Sequence, residues 1–238
     1  MNDTPKAEVS AIKVLAFDVF GTVVDWHGSI WREAESIIPG VDGSKFASAW
    51  RAGYKPAMDE VRKGKRGWTK IDTLHRIILD RILDDFGITL DEAKRRHLNR
   101  AWHRLAPWPD TLGGMNRLKS RFTLTTLSNG NLGLLANMAK HAGLPWDLIL
   151  SAEVFRHYKP DPETYLGVAD IFDILPSQVM LVAAHEDDLD AAKACGLKTA
   201  FIERPKEFGP NIKVPQGDLS RFTFAARDLN HLADQMGI

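Results

Sequence analysis

The sequence is poor in cysteine, and it has neither an excess of one charge nor a long apolar run. Its single cysteine, Cys195, excludes an internal disulfide framework. The 31 basic and 31 acidic residues balance, so no overall field attracts nucleic acid or an anionic membrane. No window has the apolar length that crosses a bilayer, and the polar start MNDTPKAEVS lacks the features of a signal peptide. These absences predict a cytoplasmic protein that binds neither nucleic acid nor a membrane.

The distribution of apolar residues predicts an α/β fold with a helical insertion. Residues 12–24 resemble a buried strand followed by a turn, whereas residues 29–105 follow helical spacing. Beyond that block, the short apolar runs FTLTTL, LILS, VMLVAA and TAFI alternate with helical segments, as in the βαβ units of a parallel sheet. The prediction is a Rossmann-like core of residues 1–24 and 107–238, with residues 25–106 inserted as a helical cap.

Residues with capping preferences mark the expected ends of several helices. Thr89 and Glu92 form a capping-box pattern, which predicts the start of a helix in the cap. Gly143 stands where a helix of the core should end, and Asp228 can begin the last helix.

Polar side chains follow the predicted strands, at the edge where open α/β sheets bind ligands. Asp18 and Thr22 follow the first strand. The residues that follow the later strands are Ser128, Asn129, Lys159, His185, Asp187 and Asp188. Together they comprise a candidate nucleophile, a cation, small hydrogen-bonding groups and further acids. This inventory is typical of a covalent-catalysis site.

Four motifs, in this order, resemble those of the haloacid dehalogenase-like hydrolase superfamily: FDVFGT, LSNG, YKP and DLDAAKACGL. The resemblance covers essentially the whole chain. It implies that Asp18 is the nucleophile, that Ser128 binds the anionic group of the substrate and that Lys159 balances the charges.

The residues with which phosphate-hydrolysing members of this superfamily hold Mg²⁺ are largely missing. Those members have an acid two residues after the nucleophile, where this chain has Phe20, and a Gly-Asp step, where it has Ala183 and Ala184. The aspartate of that step is the first of two acids that follow the fourth strand, and only the second acid, matched by Asp188, is present here. Asp18, one further carboxylate and a phenyl ring cannot satisfy the octahedral oxygen coordination of Mg²⁺. The sequence therefore predicts no metal and no cofactor, and it disfavours a phosphatase because the charge of the phosphate would be uncompensated.

A 2-halocarboxylate suits these residues better than a phosphate ester. Asp18 can displace halide from the saturated carbon C2 with inversion, and water can then cleave the resulting ester at the Asp18 carbonyl. Phe20 would exclude water from the carboxylate and so raise its nucleophilicity. We therefore expect hydrolysis of short 2-haloalkanoic acids to 2-hydroxy acids, with a halide ion as the second product.

The motifs resemble in particular those of the L-2-haloacid dehalogenases. This resemblance implies that Arg51, in SAWRAGY, receives the departing halide, and that Asn129 and Tyr165 belong to the pocket. Simpler alternatives are a solvated Arg51 on its helix, a surface Lys159 and a Tyr165 that only packs a helix. The hypothesis takes as catalytic Asp18, Thr22, Arg51, Lys159 and Asp188. It takes as substrate-binding Phe20, Arg51, Ser128, Asn129, Tyr165 and His185.

One segment departs from that family. Many of its members have Ser-Ser-Asn after the fourth strand, where this chain has Ala183, Ala184 and His185. His185 would have to replace part of the hydrolytic machinery, or else it orders Asp188 or a water molecule. Its bulk and its N–H donor also indicate a tight pocket, which extends the expected substrates to fluoroacetate.

Two other functions stay open. One is a magnesium-dependent phosphatase of the same superfamily, which would need an acid that the sequence lacks. The other is a catalytically silent binding protein with this fold, which would have no need of the nucleophile and its charged neighbours. The sequence leaves open the chain length and halogen of the substrate, and also the oligomeric state, for which a homodimer is one alternative.

Overall fold

The computed structural model describes residues 9–210, 212 and 215–238, and it contains a six-stranded sheet and a two-stranded ribbon. In chain order the strands are β1 Val14–Phe17, β2 Val24–Asp25, β3 Ala106–Pro107, β4 Thr123–Ser128, β5 Leu148–Ser151, β6 Val179–Ala183, β7 Lys198–Ile202 and β8 Phe224–Ala226. The sheet has the order β5-β4-β1-β6-β7-β8, and every neighbouring pair in it is parallel. The predicted α/β fold with a parallel sheet is confirmed.

The two central strands are buried on both faces of the sheet. Every residue of β1 and of β6 is buried, and both strands are continuous apolar runs, as expected of parallel strands covered by helices on both sides. The register places Phe17 beside Thr126 in β4 and Val182 in β6, so the three strands end at nearly the same level. Side chains that follow these strands therefore lie close together.

Helices connect the strands of the sheet, and a second group of helices lies between β2 and β3. The inserted helices are α1 Trp26–Ile37, α2 Gly43–Ala52, α3 Tyr54–Arg62, α4 Ile71–Asp85 and α5 Glu92–Asn99. The later helices are α6 Thr111–Lys119, α7 Leu132–Ala142, α8 Ala152–Phe155, α9 Pro162–Ile171, α10 Glu186–Ala194 and α11 Leu229–Gln235. Within the described part of the chain, no helix combines the length and the apolar composition needed to span a bilayer.

The ribbon of β2 and β3 joins the inserted helices to the sheet. Val24 pairs with Pro107 and Asp25 pairs with Ala106, in antiparallel register. The larger apolar cluster of the protein contains residues of both β1 and the inserted helices, including the fully buried Trp50 of α2. The inserted helices and the sheet therefore share one core.

The structure confirms the predicted caps at Gly143 and Asp228 and corrects the predicted start of a third helix. Gly143 ends α7 with a φ of 68°, a left-handed conformation that glycine adopts at low cost. Asp228 begins α11 by accepting a hydrogen bond from a backbone N–H of the first turn. The capping box at Thr89 is wrong, because α5 begins with Asp91 as its N-cap. Aspartate is the stronger N-cap, and this start places Glu92 in the first turn, where its charge complements the helix dipole.

A largely buried ion pair fixes the loop that follows β1. Arg204 donates two hydrogen bonds to the carboxylate of Asp110, both at 2.8 Å, and the two side chains are only 6% and 14% exposed. Burial opposes ionisation of Asp110, but these bonds hold the pKa of its carboxyl group below the usual value. Arg204 Nε also donates to the backbone oxygen of Thr22 at 2.8 Å. One guanidinium therefore ties the loops after β1 and β7 to the start of α6.

Asp110→Ala should lower the free energy of unfolding by about 3–5 kcal/mol, because it leaves the Arg204 charge buried without its counterion. Urea denaturation followed by circular dichroism measures this loss. Glu60→Ala is the matched control, since Glu60 forms an exposed ion pair with Arg66 and its removal should cost less than about 1 kcal/mol. Equal losses in the two variants would contradict the prediction.

Candidate active site

A cavity of about 510 Å³ lies at the carboxyl edge of the sheet, between the strand ends and the helices α2 and α3. Side chains that follow β1, β4 and β6 form one wall. Arg51 of α2, with Tyr54 and Met58 of α3, forms part of the opposite wall. A pocket of this volume and position is typical of a site for a small molecule in an open α/β sheet.

Asp18 follows β1 directly, and three side chains hold its carboxylate. Lys159 Nζ donates to Oδ1 at 2.9 Å, and Thr22 Oγ1 donates to Oδ2 at 2.8 Å. His185 Nδ1 lies 3.2 Å from the same Oδ2. Burial alone would raise the pKa of Asp18, but the Lys159 charge and the His185 hydrogen bond hold it well below its usual range. Asp18 is therefore an ionised carboxylate at neutral pH.

Lys159 lies between two carboxylates. Its ammonium donates to Asp18 and also to Oδ2 of Asp188. Burial opposes the charge on Lys159, but these two acids raise its pKa above the usual value. The Tyr165 hydroxyl donates to the other oxygen of Asp188, Oδ1, at 2.6 Å. The pKa of Asp188 is raised, because burial and the nearby charge of Asp18 outweigh the attraction of Lys159.

Local hydrogen bonds fix the loops that carry these side chains. The Thr22 hydroxyl accepts a hydrogen bond from the backbone N–H of Ala184 at 2.9 Å, which joins the loops after β1 and β6. Asn129 Oδ1 accepts from the backbone N–H of Lys159 at 2.8 Å, and Asn129 itself lines the cavity. Ser128 is buried at the end of β4, where its Oγ accepts from a backbone N–H two residues later at 3.1 Å.

Arg51 reaches the cavity from the last turn of α2. Its guanidinium carbon lies 4.4 Å from the centre of the Tyr54 ring and 5.5 Å from that of Trp26. Its buried Nη1 has no hydrogen-bond partner among the described residues. Trp50, the preceding residue, is fully buried and anchors this turn of the helix. Arg51 is thus not a solvated residue on the outer face of α2, and its unpaired donor suits an anion because a buried N–H without a partner is costly.

Phe20 makes the wall beside Asp18 apolar. Its side chain is 3% exposed, and its ring meets that of Trp102 edge to face with the centroids 6.0 Å apart. The ring also packs closely on Gly130, where a Cβ would lie 3.0 Å from Phe20 Cε2. Little room for water is left on this side of Asp18.

The residues around Asp18 do not fit Mg²⁺. Phe20 occupies the position of the second acid, and Ala184, at the position of the aspartate in the Gly-Asp step, has no side-chain oxygen. Asp18 and Asp188 are both bonded by the ammonium of Lys159, so their charges are already compensated. Over the part of the chain that the structure describes, no group of three or more His, Cys, Asp or Glu side chains could hold a metal ion. This donor set disagrees with the octahedral oxygen coordination that Mg²⁺ requires.

His185 is paired with a residue that the sequence analysis missed, Glu207. His185 Nε2 lies 2.9 Å from Oε1 of Glu207, which also accepts from Trp26 Nε1 at 3.0 Å. The Glu207 side chain is only 4% exposed. Burial disfavours the charged imidazole, but Glu207 and Asp18 raise the pKa of His185 to about 10. Glu207 follows β7, so inspection of the residues after the run TAFI would have included it.

The structure brings most of the predicted site residues together. Those that line the cavity are Asp18, Phe20, Arg51, Asn129, Lys159, Tyr165, His185 and Asp188. Thr22 and Ser128 are buried behind this wall. Both ring nitrogens of His185 are engaged, one with Asp18 and one with Glu207, so His185 does not order Asp188.

A family model of haloacid dehalogenase-like hydrolases matches residues 12–196. The (S)-2-haloacid dehalogenase 1 of Pseudomonas sp. (strain CBS-3) is 29% identical over 211 residues, which are 83% of this chain and 88% of that protein. The crystal structure of an L-2-haloacid dehalogenase is 46% identical, with a TM-score of 0.89 over 94% of this chain and 99% of that one. The crystal structure of a defluorinating L-2-haloacid dehalogenase is 43% identical, with a TM-score of 0.90 over 95% of this chain and 96% of that one. The chain therefore belongs to the haloacid dehalogenase-like hydrolase family.

Proposed function

We propose that this protein hydrolyses short 2-haloalkanoic acids to 2-hydroxy acids and halide ions. The observation that carries the proposal is the ionised Asp18 on one wall of a cavity whose other wall includes Arg51, a cation with a buried Nη1 that has no hydrogen-bond partner among the described residues. A nucleophile opposite a donor for the leaving anion suits displacement at a saturated carbon between them. The similarity to an (S)-2-haloacid dehalogenase and to L-2-haloacid dehalogenases supports the same reaction.

In the first step, Asp18 attacks C2 of the substrate with inversion, and the carbon–halogen bond breaks as the ester bond forms. Oδ1 is the attacking oxygen, because it is bonded by Lys159 alone, whereas Oδ2 is bonded by both Thr22 and His185. Lys159 offsets the repulsion between the nucleophile and the substrate carboxylate. Arg51 donates to the departing halide.

The wall beside Asp18 orients the substrate and excludes water. Asn129 lines the cavity next to Lys159, to whose backbone it is bonded, and so can bind the substrate carboxylate. Ser128, the last residue of β4, supports the loop that carries Asn129 by accepting a backbone hydrogen bond. Phe20 keeps water from the carboxylate of Asp18, which makes the carboxylate a stronger nucleophile.

In the second step, water attacks Cγ of the Asp18 ester and Asp188 acts as the general base. Burial and the charge of Asp18 raise the pKa of Asp188, so it accepts a proton more readily than an ordinary carboxylate. Tyr165 and Lys159 hold its two oxygens and thereby fix its orientation. Because water attacks Cγ rather than C2, the original Oδ1 leaves with the 2-hydroxy acid.

The proposal includes the range of substrates, the domain division and the cellular location. Fluoroacetate is among the substrates, since a defluorinating dehalogenase is 43% identical to this chain. Residues 1–24 and 107–238 form the catalytic core and residues 25–106 the cap, with the paired strands β2 and β3 at the boundary. The single Cys195 supports a cytoplasmic location.

The purified protein should release chloride from L-2-chloropropionate and fluoride from fluoroacetate, and EDTA should not change either rate because no step uses a metal. Ion-selective electrodes measure both products. A panel of phosphate esters with Mg²⁺ provides the comparison. Phosphate release that requires Mg²⁺, without halide release from any 2-haloacid, would establish the phosphatase instead, and the absence of both activities would favour a binding protein.

A single turnover in H₂¹⁸O should place the label in the carboxylate of Asp18, because the water oxygen bonds to Cγ. Mass spectrometry of the digested protein locates the label. Asp18→Asn should lose essentially all turnover, whereas Asp190→Asn, at an exposed position of α10, should not. Label found only in the 2-hydroxy acid would mean that water attacks C2 directly and that no ester forms.

Arg51→Ala should slow halide release by about a hundredfold, as expected when one preorganised donor to a developing charge is removed. Single-turnover measurements of chloride release isolate this step. Arg66→Ala, at an exposed position of the inserted segment, is the control for the loss of a positive charge. A change within about threefold in Arg51→Ala would rule out the role proposed for Arg51.

A further inference from the structure

A chain of hydrogen bonds runs from Asp18 through His185 to Glu207 and Trp26, and the displacement of halide gives Glu207 no role. His185 Nδ1 lies 3.2 Å from Oδ2 of Asp18, and its Nε2 lies 2.9 Å from Oε1 of Glu207. Trp26 Nε1 donates to the same oxygen of Glu207 at 3.0 Å. Glu207 does not line the cavity, so it can act on a substrate only through His185.

The loop after β1 leaves room for the Glu207 carboxylate. Gly21 has a φ of 91°, and a Cβ at this position would lie 2.2 Å from Oε1 of Glu207. Gly21→Ala would therefore be opposed both by the backbone conformation and by the contact. The backbone N–H of Glu207 donates to the carbonyl oxygen of Arg204 at 3.1 Å, which fixes the turn that carries the carboxylate. The fold thus holds a buried acid directly behind the imidazole.

Formation of the ester changes the charges around His185. In the free site the imidazole stands between the carboxylates of Asp18 and Glu207. Attack through Oδ1 neutralises Asp18 and turns Oδ2 into the carbonyl oxygen of the ester. Glu207 then remains beside His185 as a counterion, which favours the charged imidazole in this state as well.

We propose that His185 and Thr22 form the oxyanion hole for hydrolysis of the Asp18 ester, and that Glu207 is a positioning residue that holds His185 in this role. The inference rests on the function proposed above and assigns His185 to the second step. Thr22 Oγ1 and His185 Nδ1 lie 2.8 and 3.2 Å from Oδ2, the atom on which negative charge develops when water attacks. Thr22 is itself fixed by the backbone N–H of Ala184, so both donors are preorganised.

In this step the water oxygen bonds to Cγ of Asp18, and the electron pair of the carbonyl bond moves to Oδ2, where His185 and Thr22 stabilise it. The proton lost by the water passes to Asp188. Collapse of the tetrahedral intermediate breaks the Cγ–Oδ1 bond, and the departing alkoxide takes the proton from Asp188 to give the 2-hydroxy acid. The remaining proton of the Asp18 carboxyl group is released to solvent, which restores the nucleophile.

His185→Ala and Glu207→Gln test the inference by separating the two steps in single-turnover assays with L-2-chloropropionate. In His185→Ala we expect chloride release to change by less than about tenfold and ester hydrolysis to slow by about a hundredfold. The ester should therefore accumulate, and mass spectrometry of the quenched protein should find one carboxyalkyl group on Asp18. Glu207→Gln should also accumulate the ester, to a smaller extent. His185→Asn should recover part of the hydrolysis rate, because its amide keeps an N–H donor.

Glu203→Gln, in the same loop as Glu207 but without a contact to the site among the described residues, is the matched control and should not accumulate the ester. Formation of the ester in a variant also shows that its site is folded. The inference is overturned if both steps slow equally without accumulation, since His185 would then only align Asp18, or if turnover is unchanged. Failure of the proposed function is distinct, because the wild-type protein would then release no halide from any 2-haloacid.

Discussion

The site depends on one electrostatic constraint, which is that an anionic nucleophile must approach an anionic substrate. Two like charges 4 Å apart repel each other by about 4 kcal/mol near a protein surface, and by more where water is excluded. Lys159 meets this constraint because its buried ammonium bonds Asp18 and Asp188 together, with side-chain exposures of 7% and 10% in the pair with Asp18. Arg51 supplies the second cation from across the cavity. The other residues of the site keep these charges in place and exclude water from them.

The convergence of parallel strand ends explains how residues far apart in the chain meet around these charges. Asp18 follows β1, Asn129 follows β4 and His185 follows β6, and the register of the sheet ends these strands at nearly the same level. Arg51, the proposed halide donor, comes from the inserted helices instead. In the proposed reaction, the nucleophile and the donor for the leaving group thus belong to different parts of the chain, and neither part forms the site alone.

Residues that directly follow an apolar run could be predicted from the sequence to belong to the site. The run marks a strand, and the end of the strand marks the edge of the sheet where ligands bind. Asp18 is one of these residues. Glu207 could not be assigned a role in this way, since its effect depends on a tertiary contact with His185 that no local pattern encodes. Tyr54 and Met58 were missed for another reason. Helical periodicity indicates which face of a helix is buried, but not which part of that face borders a cavity.

The core shared by the sheet and the inserted helices holds α2 and α3 over the cavity. Swinging α2 and α3 away from the strands would expose apolar surface around Trp50, at about 25 cal/mol for each Å². It would also break the bond of 2.7 Å between Arg62 of α3 and Asp161. The exposed Lys55 and Lys63 line the same cavity as Asp18 and Arg51, and their positive charges favour the approach of an anion. Salt screens such attraction, so the capture of an anionic substrate should slow as the ionic strength rises.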